Sequence, residues 1–154
     1  MLVRIVEDPI DEGEALAHVR DQRNGALLVF HGVVRNHHQG KAVTKIDYHC
    51  YRAMAEKELR AVAEEAAARH GLTDVAVIHR VGEVIVGEAS LLVVAAAPHR
   101  RPVFEGILDL VDALKRRVPI WKQEYGPDGT HWVDGVLPTP ESSDETTFPR
   151  GGGR

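Results

Sequence analysis

The chain has 154 residues, a formal net charge of −4 and 44% hydrophobic residues, which predicts one globular domain with a core of its own. No apolar run reaches the roughly 20 residues that span a bilayer, and residues 1–6 lack a signal-peptide pattern, so the expected location is the cytoplasm. The acidic balance argues against a general nucleic-acid-binding protein, and a single cysteine, Cys50, excludes an internal disulfide framework or a cysteine-based zinc site.

Apolar residues that alternate, or run continuously over a few positions, predict the strands. These are residues 2–6, 25–35, 43–51, 74–80, 89–97, 118–125 and 130–134. The segment 89–97 (ASLLVVAAA) is apolar on both faces, which favours a place in the middle of a sheet. Residues 36–41 (NHHQGK) are predicted as a polar, basic loop, and residues 82–88 as a turn-rich connection.

Apolar residues spaced by three and four positions predict helices at residues 11–22, 52–70 and 99–117. Gly71 is placed to cap the second helix. This order of strands and helices favours an α+β fold, in which helices pack on one face of a mainly antiparallel sheet. Residues 1–137 are predicted to form a single domain, and residues 138–154, rich in proline, serine, threonine and acidic side chains, a disordered tail.

Residues 114–124 (LKRRVPIWKQE) bring two lysines to one corner of the predicted fold. Lys115 lies in the last turn of the third helix, Pro119 ends that helix, and Lys122 lies in the strand that follows. Because alternate strand residues share a face, Glu124 lies on the same side as Lys122, where its carboxylate can orient the amine or exchange a proton with it. A structural interpretation also remains open here, since cations at a helix C-terminus stabilise the helix by about 0.3–1 kcal/mol each.

Residues 98–101 (PHRR) place basic side chains where a helix prefers acidic ones. A helix N-terminus has free N–H groups and a partial positive charge, which His99, Arg100 and Arg101 oppose. A bound phosphate or carboxylate would resolve the conflict. Pairing of the arginines with surface acids would resolve it as well, so both interpretations remain open.

A third basic segment, residues 30–38 (FHGVVRNHH), ends a strand at Arg35 and continues into two histidines. We do not predict a metal site here, because His37 and His38 point apart in an extended chain and no carboxylate lies nearby in the sequence. The segment is predicted to approach an anionic ligand or to be solvated. His79 is predicted to be a strand end rather than a site residue.

The chain carries motifs in a defined order: FHGVVRN (30–36), YHCYRAMAEKEL (48–59), IHRVGEVIVGE (78–88), PHRRPVFEG (98–106), LKRRVPIWKQE (114–124) and GTHW (129–132). Over about residues 3–135 this set resembles the catalytic large subunit of molybdopterin synthase. The resemblance implies an α+β fold of the α/β-hammerhead type. It also implies a sulfurtransferase of molybdenum cofactor biosynthesis.

In the reaction that the resemblance implies, cyclic pyranopterin monophosphate (precursor Z) receives the two sulfurs of the molybdopterin dithiolene. The sulfur donor is a thiocarboxylate on the C-terminal Gly-Gly of a small ubiquitin-like subunit. Two large subunits form a homodimer within a heterotetramer. No cofactor, metal, nucleic acid or membrane is implied.

The resemblance also carries over to single positions. It implies catalytic lysines at Lys115 and Lys122, and substrate-binding residues at Arg35, His99, Arg100, Gln123 and Glu124. Lys115 would contact the thiocarboxylate and the reacting carbon, and Lys122 would assist proton transfer or fix the substrate. Arg35, with His99 and Arg100, would hold the phosphate or the pterin edge.

The chain departs from the family pattern at two positions. Val33 stands where a polar or basic residue is usual, and His49 where an acid is expected.

Two other classes of function also remain open: a non-catalytic module whose basic pocket binds a nucleotide or another phosphate ligand, and a structural subunit that holds the small protein. A pocket shared by Lys115, Lys122 and His99 would support the enzyme, and separation of the three beyond side-chain reach would undermine it.

Overall fold

The structure, a computed structural model, describes residues 1–133. The predicted tail at residues 138–154 and the predicted domain boundary at residue 137 lie outside this part of the chain. The helices are α1 (Glu12–Val19), α2 (Arg52–His70) and α3 (Arg100–Arg117), and none of these is long and apolar enough to cross a membrane. The strands are β1 (Leu2–Val6), β2 (Ala26–Val33), β3 (His37–His38), β4 (Lys41–Ala42), β5 (Lys45–Cys50), β6 (Asp74–Arg80), β7 (Gly82–Ile85), β8 (Ala89–Ala97), β9 (Ile120–Gly126) and β10 (Gly129–Val133).

The strands form two four-stranded sheets and one short hairpin. The first sheet has the order β1-β6-β8-β2, in which β1 and β6 are parallel and the other neighbours antiparallel. The second sheet has the order β10-β9-β5-β7 and is antiparallel throughout. Strands β3 and β4 form the hairpin. The predicted α+β class with mainly antiparallel pairing is confirmed.

The first sheet is covered on both faces, which explains why residues 75–79 of β6 and residues 90–97 of β8 are buried without interruption. Helices α2 and α3 pack on the face that contains Val75 and Val77. Helix α1 packs on the opposite face, where Ala15 and Val19 contact a cluster that includes Ile78. The expected packing of helices on one face therefore holds for the two long helices, and the short first helix lies on the other face.

Four of the predicted elements, one helix and three strands, have the predicted bounds. Helix α2 and strands β1, β6 and β8 begin and end where the apolar pattern does, and β8 lies inside the first sheet between β6 and β2. Gly71 caps α2 in the left-handed conformation, with φ of 66°, and its N–H donates to the carbonyl of Ala67. The other predicted helices and strands differ from the observed ones by one to three residues at one end or both, because the ends of an element are what local sequence specifies least.

Two segments that were predicted as loop or turn contain short strands, so those predictions were wrong. Strand β7 pairs with β5 at an edge of the second sheet, where Val84 is fully buried. Strands β3 and β4 meet in a tight turn at Gln39 and Gly40, with φ of 49° and 75°. Elements of two to four residues are too short for their periodicity to be recognised.

Candidate active site

A cavity of about 370 Å³ lies where the two sheets meet the C-terminal end of α3. Three of the predicted site cations, Arg35, Lys115 and Lys122, line this cavity together with Glu124. Three cations around one carboxylate give the wall a net positive charge. Such a wall suits a ligand with phosphate or carboxylate groups.

Lys115 is exposed in the last turn of α3. The helix end is held by Leu114 and Val118, which are 5% and 1% exposed, and the N–H of Val118 donates to the carbonyl of Leu114 at 3.0 Å. Within residues 1–133 the Lys115 amine has no hydrogen-bond or ion-pair partner. By contrast, Arg117 donates hydrogen bonds to Glu58 and Glu65 of α2. Lys115 is therefore available to a ligand, whereas Arg117 joins two helices.

Lys122 lies on β9 beside a buried carboxylate. Its Nζ is 3.6 Å from Oε1 of Glu124, whose side chain is 6% exposed, so the predicted same-face arrangement of the two residues is confirmed. The other carboxylate oxygen, Oε2, is 3.1 Å from Nδ1 of His38. Sequence patterns contained no signal for this second contact, because His38 and Glu124 are 86 residues apart.

The two adjacent histidines of the β3–β4 hairpin have different partners. Nδ1 of His37 is 2.8 Å from Oδ1 of Asn36, whereas His38 contacts Glu124. The two histidines thus have different partners, although both line the cavity. In the part of the chain that the structure describes, no three His, Cys, Asp or Glu side chains are grouped in a way that could hold a metal ion.

Part of the cavity wall is polar but uncharged. Tyr48, His79 and Ser90 line it, and the Tyr48 and His79 rings meet edge to face with centroids 5.4 Å apart. Burial raises the pKa of Tyr48 and lowers that of His79 to about 4, so both side chains are neutral at pH 7. The prediction of His79 as a strand end was incomplete: the residue lies near the end of β6 and also lines the cavity.

We expect the buried imidazole of His79 to lower stability in mild acid. Its Nδ1 lies 2.8 Å from the carbonyl of Arg80, but burial outweighs this hydrogen bond and brings the pKa from 6.5 to about 4. The unfolded chain binds a proton at His79 more tightly than the folded chain does. The stability that depends on a neutral His79 is therefore fully present above pH 6.5. It is lost as the pH falls towards 4, by about 3 kcal/mol in all.

The free energy of unfolding in urea, measured from pH 7 to pH 4, checks this expectation. The His79→Gln variant should lose less stability over that range than the unmodified chain. The same loss in both proteins would contradict the assignment to His79. The exposed His37→Gln variant is the matched control and should behave like the unmodified chain.

Three of the predicted substrate-binding residues lie outside this cavity. His99 precedes the first turn of α3 and Arg100 begins it, whereas Lys115 lies in the last turn. At a rise of about 1.5 Å per residue, Arg100 and Lys115 are about 22 Å apart along the helix. Gln123 lies on β9 but is not among the cavity residues of the described chain. One chain therefore brings together only part of the predicted site.

The basic residues at the N-terminus of α3 differ in whether another side chain pairs with them. Arg101 donates to Glu105 at 2.9 Å, which is the surface pairing left open by the sequence. His99 and Arg100 are both exposed and have no hydrogen-bond or ion-pair partner within residues 1–133. These two side chains are therefore available to a ligand or to another molecule.

The two departures from the family pattern differ in position. Val33 is 48% exposed and lines the cavity just after an irregularity in the pairing of β2 at Gly32, so it adds an apolar side chain to the wall. His49 lies on β5 and stacks on Trp121, with ring centroids 6.0 Å apart and planes at 21°. His49 thus has a structural contact, as expected for its strand.

Comparison with known proteins gives matches over most of the chain. The family model described as MoaE protein matches residues 5–117. The molybdopterin synthase catalytic subunit of Pyrococcus abyssi is 40% identical over 135 residues, which are 86% of this chain and 91% of that protein. The subunit of the same name from Oryza sativa subsp. indica is 40% identical over 136 residues, 86% and 70% of the two chains. The crystal structure of molybdopterin synthase from Staphylococcus aureus has a TM-score of 0.81 and 29% identity, and the match covers 86% of this chain and 96% of that one.

Proposed function

This chain belongs to the MoaE family, whose compared members are molybdopterin synthase catalytic subunits, and on that premise we propose that it is the sulfur-transferring subunit of a molybdopterin synthase. The sulfur comes from the C-terminal thiocarboxylate of a small ubiquitin-like subunit. The acceptor is cyclic pyranopterin monophosphate, and two transfers form the dithiolene of molybdopterin. We also assign the reaction to the cytoplasm, which cell fractionation would check.

The observation that carries this proposal is the convergence of Arg35, Lys115 and Lys122 on one cavity. Both reactants are anions, so a cationic wall attracts the phosphate of one and the thiocarboxylate of the other. Arg35 holds the phosphate or the pterin edge, and Lys115 contacts the thiocarboxylate and the reacting carbon. Lys122, oriented by its neighbour Glu124, assists proton transfer or fixes the substrate.

Reconstitution with purified components tests the proposal. The chain, mixed with thiocarboxylated small subunit and cyclic pyranopterin monophosphate, should yield a pterin that carries two added sulfurs, as measured by mass spectrometry. The same small subunit with an ordinary C-terminal carboxylate is the control and should give no product. If precursor binds but no sulfur is transferred, the proposed activity is wrong.

A non-catalytic phosphate- or nucleotide-binding module is the alternative, since the same cationic wall would serve it. The relatives, which are named catalytic subunits, do not favour this alternative. It would be supported by nucleotide binding that is tight and unaffected by the small subunit.

The proposed assembly is a heterotetramer with a homodimer of this chain at its core. A separate sulfur carrier is needed, because Cys50 is the only cysteine of the chain and is not among the cavity residues of the described part. Burial also raises the pKa of the Cys50 thiol, which keeps it protonated and a poor nucleophile. The small subunit supplies the sulfur instead.

His99 and Arg100 act on the substrate in this proposal only if they come from a second copy of the chain. About 22 Å of helix separates Arg100 from Lys115 in one chain, which is beyond side-chain reach. We therefore propose that each cavity is completed by the N-terminal end of α3 of the other copy. The unpartnered His99 and Arg100 side chains are consistent with that role.

A further inference from the structure

The hairpin β3–β4 is held against strand β9, next to the cavity. The N–H of Thr44, just after the hairpin, donates to the carbonyl of Tyr125 at 2.8 Å. The carbonyl of Ala42 lies so close to Gly126 that a Cβ at that position would be 2.2 Å from the oxygen. The end of β9 and the hairpin are thus in direct backbone contact, and this contact brings His38 to Glu124.

The carboxylate of Glu124 has a different partner at each oxygen. Oε1 is 3.6 Å from the Lys122 amine and Oε2 is 3.1 Å from Nδ1 of His38. Glu124 is 5% exposed, and a buried carboxylate beside a lysine stays ionised only when its charge is paired and hydrogen-bonded. An ionised carboxylate can only accept, so Nδ1 of His38 carries the proton and donates it.

We propose that His38 is a positioning residue for the sulfur-transfer reaction, acting on Lys122 through Glu124. The terminal torsion of a glutamate is broad and has little intrinsic preference, and a lysine amine on a four-carbon stem is flexible. The hydrogen bond from His38 fixes the carboxylate plane, and the fixed Oε1 in turn defines where the amine of Lys122 lies in the cavity. Glu124 then acts on Lys122 rather than on the substrate.

This inference rests on the proposed sulfur transfer, and its test uses the same reconstituted reaction. The His38→Ala variant should lower the rate constant of the reaction by about ten- to a hundredfold, because a misplaced reacting group costs that much. The KM for the pterin should stay unchanged. His38→Asn should restore most of the rate, because its amide nitrogen can occupy the place of Nδ1 and donate to Oε2.

A double variant tests the route through Glu124. Once Glu124→Gln has removed the carboxylate, adding His38→Ala should cause no further loss of rate, since coupled residues are not additive. The matched control is His31→Ala, which removes another histidine–glutamate contact, between Nε2 of His31 and Oε2 of Glu12 at 2.7 Å, outside the cavity. It should keep the full rate.

Several outcomes would overturn the inference while leaving the sulfurtransferase intact. One is a His38→Ala variant that keeps the full rate constant. The others are losses of rate that add up in the double variant, and a rise in the KM for the pterin with no change in the rate constant. Failure of His38→Asn to exceed His38→Ala would also overturn it, and this comparison between two folded variants remains informative if alanine reduces stability. An unmodified chain that transfers no sulfur would instead refute the proposed function itself.

Discussion

Replacing Lys115 by alanine is expected to lower the rate of molybdopterin formation by a factor of about 10² to 10⁴, the usual contribution of a positioned proton-transfer or charge-stabilising group. The amine lies at the end of α3, lines the cavity and has no hydrogen-bond or ion-pair partner within residues 1–133, so its removal breaks no such interaction in the described chain. The loss should therefore be in activity and not in folding. Single-turnover formation of product with thiocarboxylated small subunit measures it.

The adjacent residue provides the control for this variant. Arg116 is exposed on the same helix turn and is not among the cavity residues of the described chain, so Arg116→Ala should retain nearly full activity. Both variants should still bind the small subunit, as size-exclusion chromatography can check. A Lys115→Ala protein that makes product at the normal rate would exclude the catalytic role of Lys115. The interpretation as a structural subunit that holds the small protein would then be preferred.

The sequence predicted those parts of the site that depend on local spacing. Lys122 and Glu124 share a face because strand residues alternate, and Lys115 lies in the last turn because the apolar stripe of α3 ends there. The bounds of α2 could be predicted for the same reason, since its buried residues recur every three or four positions.

The parts that could not be predicted depend on contacts between distant segments. His38 meets Glu124 across 86 residues, through a hairpin of two-residue strands that has no periodicity to recognise. His79 and Ser90 lie on neighbouring strands of the first sheet and line the cavity only because the second sheet is folded against them. Their sequence context is that of ordinary buried strands.

The length of α3 separates the basic residues at its two ends. Helix α3 runs from Arg100 to Arg117, so its two basic ends cannot face one ligand. Within a single chain, the anion site predicted at its first turn and the lysine at its last turn are separate features. They form one site only if two copies of the chain place the first turn of one helix beside the last turn of the other.

Mixed dimers test this arrangement directly. A dimer of one Lys115→Ala chain and one His99→Ala chain should regain about half the activity of the unmodified dimer, because one of its two cavities combines an intact lysine with an intact histidine from the other copy. Each variant alone should be strongly impaired. The two chains can be given different affinity tags, co-expressed and purified in sequence, and the reconstituted reaction then measures the rate per dimer.

A second mixed dimer, of Lys115→Ala and Lys122→Ala chains, distinguishes sharing between copies from a general effect of mixing. Both lysines line the cavity of their own chain, so neither cavity of this dimer is complete and no activity should return. Recovery in the first pair and none in the second would assign His99 to the cavity of the other copy. No recovery in either pair would mean that His99 does not complete a cavity across the dimer.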